Sequence, residues 1–435
     1  MKKSGRLRTS LKNSFLDGCF ASAMLGFTEQ YITPLAIALK ATSAQIGMLA
    51  AFPSLISSIV QLKSADVTEH LKSRRRILNI FVLFHAFMFI PILLIPFIFR
   101  ENSVLWLIFF VTLLNSVGAF PGPAWASLMA DHIPASARGK YFGWRNRFIG
   151  AITVACALLA GFILNTFGKE TYAGFVVIFG LACAARFISW YFLSKMYEPP
   201  MKITHEHYFN FWDFIKRVKE SNFAKFVFYI ASINFSVNIA APFFAVFMLS
   251  DLNLNYVTYT VIVTTATIAT LLTMNLWGRH ADRTGNLKVI QLTSFFIPIV
   301  PALWLFSQEI YYLVIIQVFA GFVWAGFNLS VMNFIYDAVM PEKRTRCIAY
   351  FNVINGIAIC LGALLGGVLA KAMPPLFGHR LFALFLLSGA MRAIFAFIFL
   401  PKIKEVRRVE NISSIDLFFS VIKLRPLKIE GEEKV

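Results

Sequence analysis

Asp131-His132-Ile133-Pro134-Ala135-Ser136-Ala137-Arg138 has a counterpart further along the chain, Asp337-Ala338-Val339-Met340-Pro341-Glu342-Lys343-Arg344. The shift is 337 − 131 = 206 residues, and it also carries Asn146 onto Asn352, Gly150 onto Gly356, Gly161 onto Gly367 and Arg186 onto Arg392. Two copies of one unit are implied. Both copies are strongly apolar, so the repeat points to a duplicated membrane bundle, a plan typical of transporters that bind substrate between halves.

Composition agrees. Hydrophobic residues make up 58% of the chain, charged residues 14%, and there are 47 Phe, whereas roughly a quarter of residues are charged in soluble domains. A net charge of +19 would suggest nucleic acid as a partner in a soluble chain, but here the basic residues sit in short stretches between apolar runs, so no nucleic acid is expected. Runs long enough to span a hydrocarbon core lie near 14–39, 44–63, 76–99, 104–130, 139–168, 171–196, 223–250, 255–278, 287–307, 310–338, 346–373 and 379–400. The expected fold is all-α, with twelve transmembrane helices in two pseudo-symmetric six-helix bundles, 1–196 and 223–400, a linker helix over 197–222 and a tail over 401–435. The tails and alternate loops are basic, while the opposite loops hold little beyond Lys40, Arg100, Lys169, Lys371 and Arg380. By the positive-inside rule both termini should face the cytoplasm, in the plasma (inner) membrane.

The first apolar stretch is too long for a signal-peptide h-region and should stay as the first helix. Tyr208, Phe211, Trp212, Ile215 and Val218 recur at helical spacing between charged residues, as expected of a linker helix lying in the membrane interface, and Ile415 to Leu424 reads the same way. The five cysteines, Cys19, Cys156, Cys183, Cys347 and Cys360, show neither disulfide nor metal-ligand spacing. His205-Glu206-His207 offers no complete ligand set. No metal or cofactor is called for, no phosphate-binding Gly-rich loop is present, and the expected partners are membrane lipid, a small-molecule substrate and a proton, with the chain a monomer.

The strongest motif is Trp277-Gly278-Arg279-His280-Ala281-Asp282-Arg283-Thr284-Gly285-Asn286-Leu287-Lys288, between the eighth and ninth helices. It resembles the Gly-x-x-x-Asp-Arg-x-Gly-Arg-Lys loop of the major facilitator superfamily: Gly278, Asp282, Arg283 and Gly285 match, while Asn286 and Leu287 replace the following basic pair. The first-half loop keeps Asp66 and a displaced cluster, Arg74, Arg75 and Arg76, with Leu62 and Glu69 where the family has glycines. The resemblance covers nearly the whole chain and implies a secondary transporter. A carboxylate there can meet the positive end of a neighbouring helix and pair with an arginine. By the symmetry of the repeat, Asp66 is expected near Arg344 and Arg346, and Asp282 near Arg138, as a cytoplasmic gate. The repeated Asp131…Arg138 and Asp337…Arg344 segments read as gate or scaffold.

Substrate chemistry should use polar groups at mid-depth, because a charge there costs roughly 2.5–3.5 kcal/mol on insertion scales. Glu29 stands out, followed by Gln30 and Tyr31 with Pro34 a turn later; Asn238 and Pro242 sit correspondingly in the seventh helix. His85, Asn115, Asn234, Gln317, Asn328, Asn333, Asn352 and Asn355 complete the set. Glu29 and His85 are the proton-coupling candidates, and Gln30, Tyr31, Asn115, Asn234, Asn238, Gln317, Asn328, Asn352 and Asn355 the substrate-binding candidates. A carboxyl group removed from water holds its proton more readily, so Glu29 can carry a proton across; a structural carboxylate and a ligand for a cationic substrate are the alternatives. Arg186 and Arg392 are expected to snorkel or to brace the helices, and Asp17 to be hydrated. The chain reads as a secondary active transporter of a small organic solute working by alternating access, with proton-coupled uptake ahead of export of amphipathic compounds. A membrane sensor or a lipid-modifying enzyme is the reading outside transport, and the chain shows no acid, base or metal cluster for the latter.

Overall fold

A computed structural model describes residues 2–71, 73–133, 135–169, 171–199, 221–340 and 344–407, together with residues 409, 417, 420 and 421. Residues 200–220 of the linker helix expected over 197–222, with the His205-Glu206-His207 stretch among them, and most of Ile415 to Leu424 lie outside the described residues. The side chains of Asp66, Arg138 and Arg344 lie outside them too.

The described chain is nearly all helix, and eleven of its helices are long and apolar enough to cross a membrane. The first span completes the set; its basic, polar start keeps it out of the eleven, and it is divided into Lys2–Thr28 and Ile32–Ala38 by a turn at Glu29, Gln30 and Tyr31. The second span is Ser43–Leu62, followed by a short helix, Ser64–Leu71. The third is Arg74–Ile98, the fourth Ser103–His132, the fifth Ala135–Phe167 and the sixth Ala173–Ser194. The seventh to twelfth are Asn222–Asp251, Tyr256–Thr284, Asn286–Leu303, Ile310–Ala338, Arg344–Ala372 and Phe382–Lys402. Each expected apolar run holds one of these spans.

Prolines account for the breaks. Proline has no backbone N–H, so each one inside a span frees the carbonyl four residues earlier. Pro34 frees the Gln30 carbonyl, and Pro301 that of Ile297. The fourth span breaks at Phe120 and Pro121 before resuming at Gly122. The seventh holds Pro242 and ends in a π turn, Phe247–Asp251.

By internal contacts the chain falls into two compact units. The first comprises Met1–His205 with Pro242–Thr264 and Ala363–Lys371; the second comprises Glu206–Ala241, Thr265–Gly362 and Ala372–Val435. The first unit thus includes one end of the seventh, eighth and eleventh spans. In it the second span lies so close to the eleventh that a Cβ on Gly47 would fall 2.5 Å from the Ala363 carbonyl oxygen. Such backbone approach is the usual result of small residues on membrane helices. The second unit is packed around Phe226, Phe327, Phe334 and Ile297, all buried.

Candidate functional site

In the first unit, the end bearing the basic loops is held by Arg74 at the start of the third span. Its side chain is buried and makes a 2.7 Å ion pair with Asp131 at the end of the fourth span. It also donates to the Ser127 Oγ at 3.1 Å and the Pro199 carbonyl at 3.2 Å. Glu198, beyond the sixth span, accepts from the Arg74 backbone N–H at 2.7 Å and from the Ser73 hydroxyl at 2.7 Å. That carboxylate caps the positive end of the third span, where four N–H groups would otherwise lack partners. Arg75 is exposed and donates to the Ser194 carbonyl.

The second unit repeats this arrangement with other residues. Glu405, beyond the twelfth span, accepts from the Leu287 N–H at 2.7 Å and so caps the ninth span. Asp337, at the end of the tenth span, accepts from Asn286 at 2.7 Å and pairs with Arg407 at 2.7 Å; Arg407 also reaches Asp282 at 3.7 Å. The hydrogen bond that Arg407 donates to Asp337, with the charges of Asp337, Asp282 and Glu405, raises the Arg407 pKa above its ordinary value. Gly285 makes the approach possible. Its φ of +90° is one that side-chain-bearing residues avoid, and a Cβ there would fall 2.5 Å from Glu405 Oε2. Gly278 faces Leu329, and Asp282 and Arg283 are exposed.

Within the membrane depth of the first unit, Asp17 is buried and accepts a 2.6 Å bond from Ser189, so it is not the hydrated residue expected from its place near the helix end. Burial there is set by the sixth span packing on the first. Arg186 continues the chain, donating to Ser189 at 3.2 Å and through Nε to His85 Nδ1 at 3.0 Å, instead of snorkelling to a headgroup. A His nitrogen that accepts from a guanidinium belongs to a neutral ring with its proton on Nε2. In the second unit Arg392 is buried and donates to Ser388 at 2.9 Å and to the Ile297 carbonyl at 3.3 Å, replacing the donor that Pro301 lacks.

Glu29 lies in the turn that divides the first span; its side chain is exposed and has no hydrogen-bond or ion-pair partner among the described residues. Tyr31, two residues on, is fully buried. Its hydroxyl meets the Ala157 carbonyl and lies 2.8 Å from Thr260 Oγ1, and the Gln30 carbonyl accepts from the Tyr259 hydroxyl at 2.9 Å. In the second unit Asn234 donates to Asn355 at 2.6 Å, Asn355 to the Phe351 carbonyl at 2.9 Å and Asn238 to the Asn234 carbonyl at 2.8 Å. Asn115 bonds its own helix at the Val111 carbonyl, 3.0 Å away. Asn328 is exposed, and Gln317, Asn333 and Asn352 are half-buried on the tenth and eleventh spans.

The twelve spans, with a Gly278…Asp282-Arg283…Gly285 loop leading into the ninth, are the arrangement that the resemblance anticipates. The sequence pattern defining the Major Facilitator Superfamily matches residues 18–237 and again residues 226–429. The chain belongs to the major facilitator superfamily. It is a transporter of that superfamily. The multi-drug resistance efflux pump PmrA of Streptococcus pneumoniae is 24% identical over 315 residues, 70% of this chain and 75% of that protein. The efflux pump azaK of Aspergillus niger is 30% identical over 104 residues, 24% of this chain and 22% of that protein. Among solved structures, the nucleoside transporter NupG superposes with a TM-score of 0.68 at 16% identity, covering 92% of this chain and 100% of its own. A D-xylose-proton symporter superposes with a TM-score of 0.69 at 12% identity, covering 93% and 98%. At such identities the likeness is one of fold.

Two features escaped the sequence reading. Glu198 and Glu405 were absorbed into loops read only for their positive charge, although 405 − 198 = 207 lies within one residue of the repeat shift. Tyr259 and Thr260 carried no local signal, since their partners are 229 residues away in sequence.

Proposed function

We propose that the chain is a proton-coupled secondary transporter that takes up a small polar organic solute by alternating access, with both termini in the cytoplasm and Glu29 as the coupling carboxyl. The observation that carries this reading is the Glu29 carboxylate, held in a break of the first span where, among the described residues, no arginine or lysine pairs with it. A carboxyl that no partner neutralises, at membrane depth, is expensive to keep unless protonation is part of its work. His85, bonded to Arg186, is the less exposed candidate for the same role. The Asn234 and Asn355 pair, with Asn238, supplies the amide donors and acceptors suited to a hydroxylated or amide-bearing solute. The Arg74, Asp131 and Glu198 cluster and its counterpart around Arg407, Asp337 and Glu405 form the scaffold of the cytoplasmic gate.

The test is Glu29→Gln in proteoliposomes. Accumulation driven by an imposed pH gradient should be abolished while counterflow exchange of the same solute is retained; accumulation at the wild-type level removes Glu29 from the coupling. The second reading, export of amphipathic compounds, is favoured by the similarity to PmrA. Thermal stabilisation across sugars, carboxylates, amino acids, nucleosides and cationic drugs separates the two, because a ligand at 100 times its dissociation constant adds about 2.7 kcal/mol. Stabilisation by polar metabolites supports uptake, and stabilisation by amphipathic cations alone supports export.

A further inference from the structure

Arg145, in the fifth span, is a cation that the fold of the first unit leaves mostly unused. The residue is 7% exposed. A guanidinium carries five N–H donors, yet among the described residues Arg145 makes one hydrogen bond, from Nη2 to the Ser14 carbonyl of the first span at 3.3 Å. Its Nε is shut away from solvent without an acceptor, and no described carboxylate forms an ion pair with it. The group is nonetheless held firmly. Its guanidinium carbon lies 5.0 Å from the centre of the Trp125 ring of the fourth span, a cation–π distance, and a Cβ on Gly18 of the first span would collide with it. Trp125 packs in turn on Phe142, ring centre to ring centre 6.0 Å.

The internal repeat supplies a control. The shift of 206 residues that carries Asn146 onto Asn352 and Gly150 onto Gly356 carries Arg145 onto Phe351, which is buried in the apolar core of the second unit. One copy of the bundle therefore folds with a phenyl ring where the other holds a guanidinium, so packing of the fifth helix does not demand the charge. A buried cation without a partner is costly. Asp17, the buried acid of the first span, does not offset it. That carboxylate accepts from Ser189 and feels two cations, Arg186 and Arg145, so one positive charge is left over. Arg186 gives its bonds to Ser189 and His85, and the uncommitted donors belong to Arg145.

A fixed, planar set of free N–H donors on a surplus positive charge matches a carboxylate, whose two oxygens take parallel bonds from a guanidinium. We propose that Arg145 binds a carboxylate group of the transported solute, with Trp125 holding the guanidinium plane in position. The proposal names a solute class for the transport reading above and rests on that reading. Its test measures binding without transport, while the Glu29→Gln test leaves Arg145 intact, so either can fail alone.

The experiment is thermal stabilisation of the purified protein in micelles by benzoate and by succinate, each set against its uncharged amide, in wild type and in Arg145→Met. Methionine keeps an unbranched stem and drops every donor. At least one acid should bind wild type with a Kd about tenfold or more below that for the variant, the loss expected for hydrogen bonds to a charged group, while the amides treat the two proteins alike. Without ligand the variant should melt at or above the wild-type temperature, because a buried charge exchanged for an apolar group of similar size costs the fold little. Failure of both acids to stabilise wild type, equal affinities in the two proteins, or a variant that melts well below wild type overturns the site. Repeating the series with phosphatidylglycerol in place of phosphatidylcholine separates a lipid phosphate from a solute carboxylate. Stabilisation by phosphatidylglycerol alone, lost in Arg145→Met, overturns the solute assignment in favour of a headgroup.

Discussion

Gly285→Ala puts a side chain where the fold has no room for one, and the cost can be built from two parts. The backbone there, φ +90° and ψ 154°, is in a region open almost only to glycine, and holding another residue in it costs about 1–3 kcal/mol. The new Cβ also lands 2.5 Å from Glu405 Oε2, so the carboxylate must leave the Leu287 N–H that it caps. Losing such a cap costs about 0.5–2 kcal/mol. The single variant should lose about 1.5–5 kcal/mol in total, and Glu405→Ala about 0.5–2 kcal/mol. The double variant loses the cap only once, so it should fall short of the sum by about 1 kcal/mol. Reversible unfolding of the four proteins in mixed micelles measures this cycle. Additivity within about 0.3 kcal/mol would refute the proposed contact between the Gly285 turn and Glu405.

Further outcomes follow from the same geometry. Arg74→Ala removes a buried guanidinium from Asp131 and Glu198 and should cost about 3 kcal/mol or more, whereas Arg75→Ala, at an exposed site, should cost under about 1 kcal/mol; denaturant midpoints distinguish them. Arg407→Ala should cost about 1 kcal/mol, since its side chain is 37% exposed and screened, and the loss should shrink as salt is raised from 0.05 to about 1 M. Asn234→Ala and Asn355→Ala should weaken binding of the transported solute non-additively, because each leaves the other amide without its 2.6 Å partner; equal and additive changes in Kd would place the pair outside the site. Asp17→Asn should leave the Ser189 bond but remove the charge that faces Arg186, lowering thermal stability measurably; an unchanged Tm would mean that the Asp17 charge is not used.

The division into spans is readable because length and apolarity alone decide what crosses a membrane, and the breaks near Pro34 and Pro121 follow from the donor that proline lacks, whereas the seventh span runs on through Pro242 to Val246. Gly285 is legible only through its place in the loop motif, and the structure supplies the physical reason, a φ of +90° that side-chain-bearing residues avoid. Asp17 was misread because its distance from the helix end suggested water, while its burial depends on Ser189, 172 residues away. The caps from Glu198 and Glu405 were hidden by the surrounding lysines and arginines, which the positive-inside rule explains without asking what each one touches. Tyr31 was singled out as a polar group at mid-depth; that its hydroxyl is already engaged by the fifth and eighth spans could come only from the packing of three helices.

The role of Glu29 is tested most directly by counting protons. Once a stabilising solute is in hand, its binding to the purified protein can be followed by calorimetry in two buffers of different ionisation enthalpy, for wild type and for Glu29→Gln. Proton coupling through Glu29 predicts a solute-linked proton exchange near one per site in wild type, lost in the variant with binding retained. An identical proton count in the two proteins would contradict it.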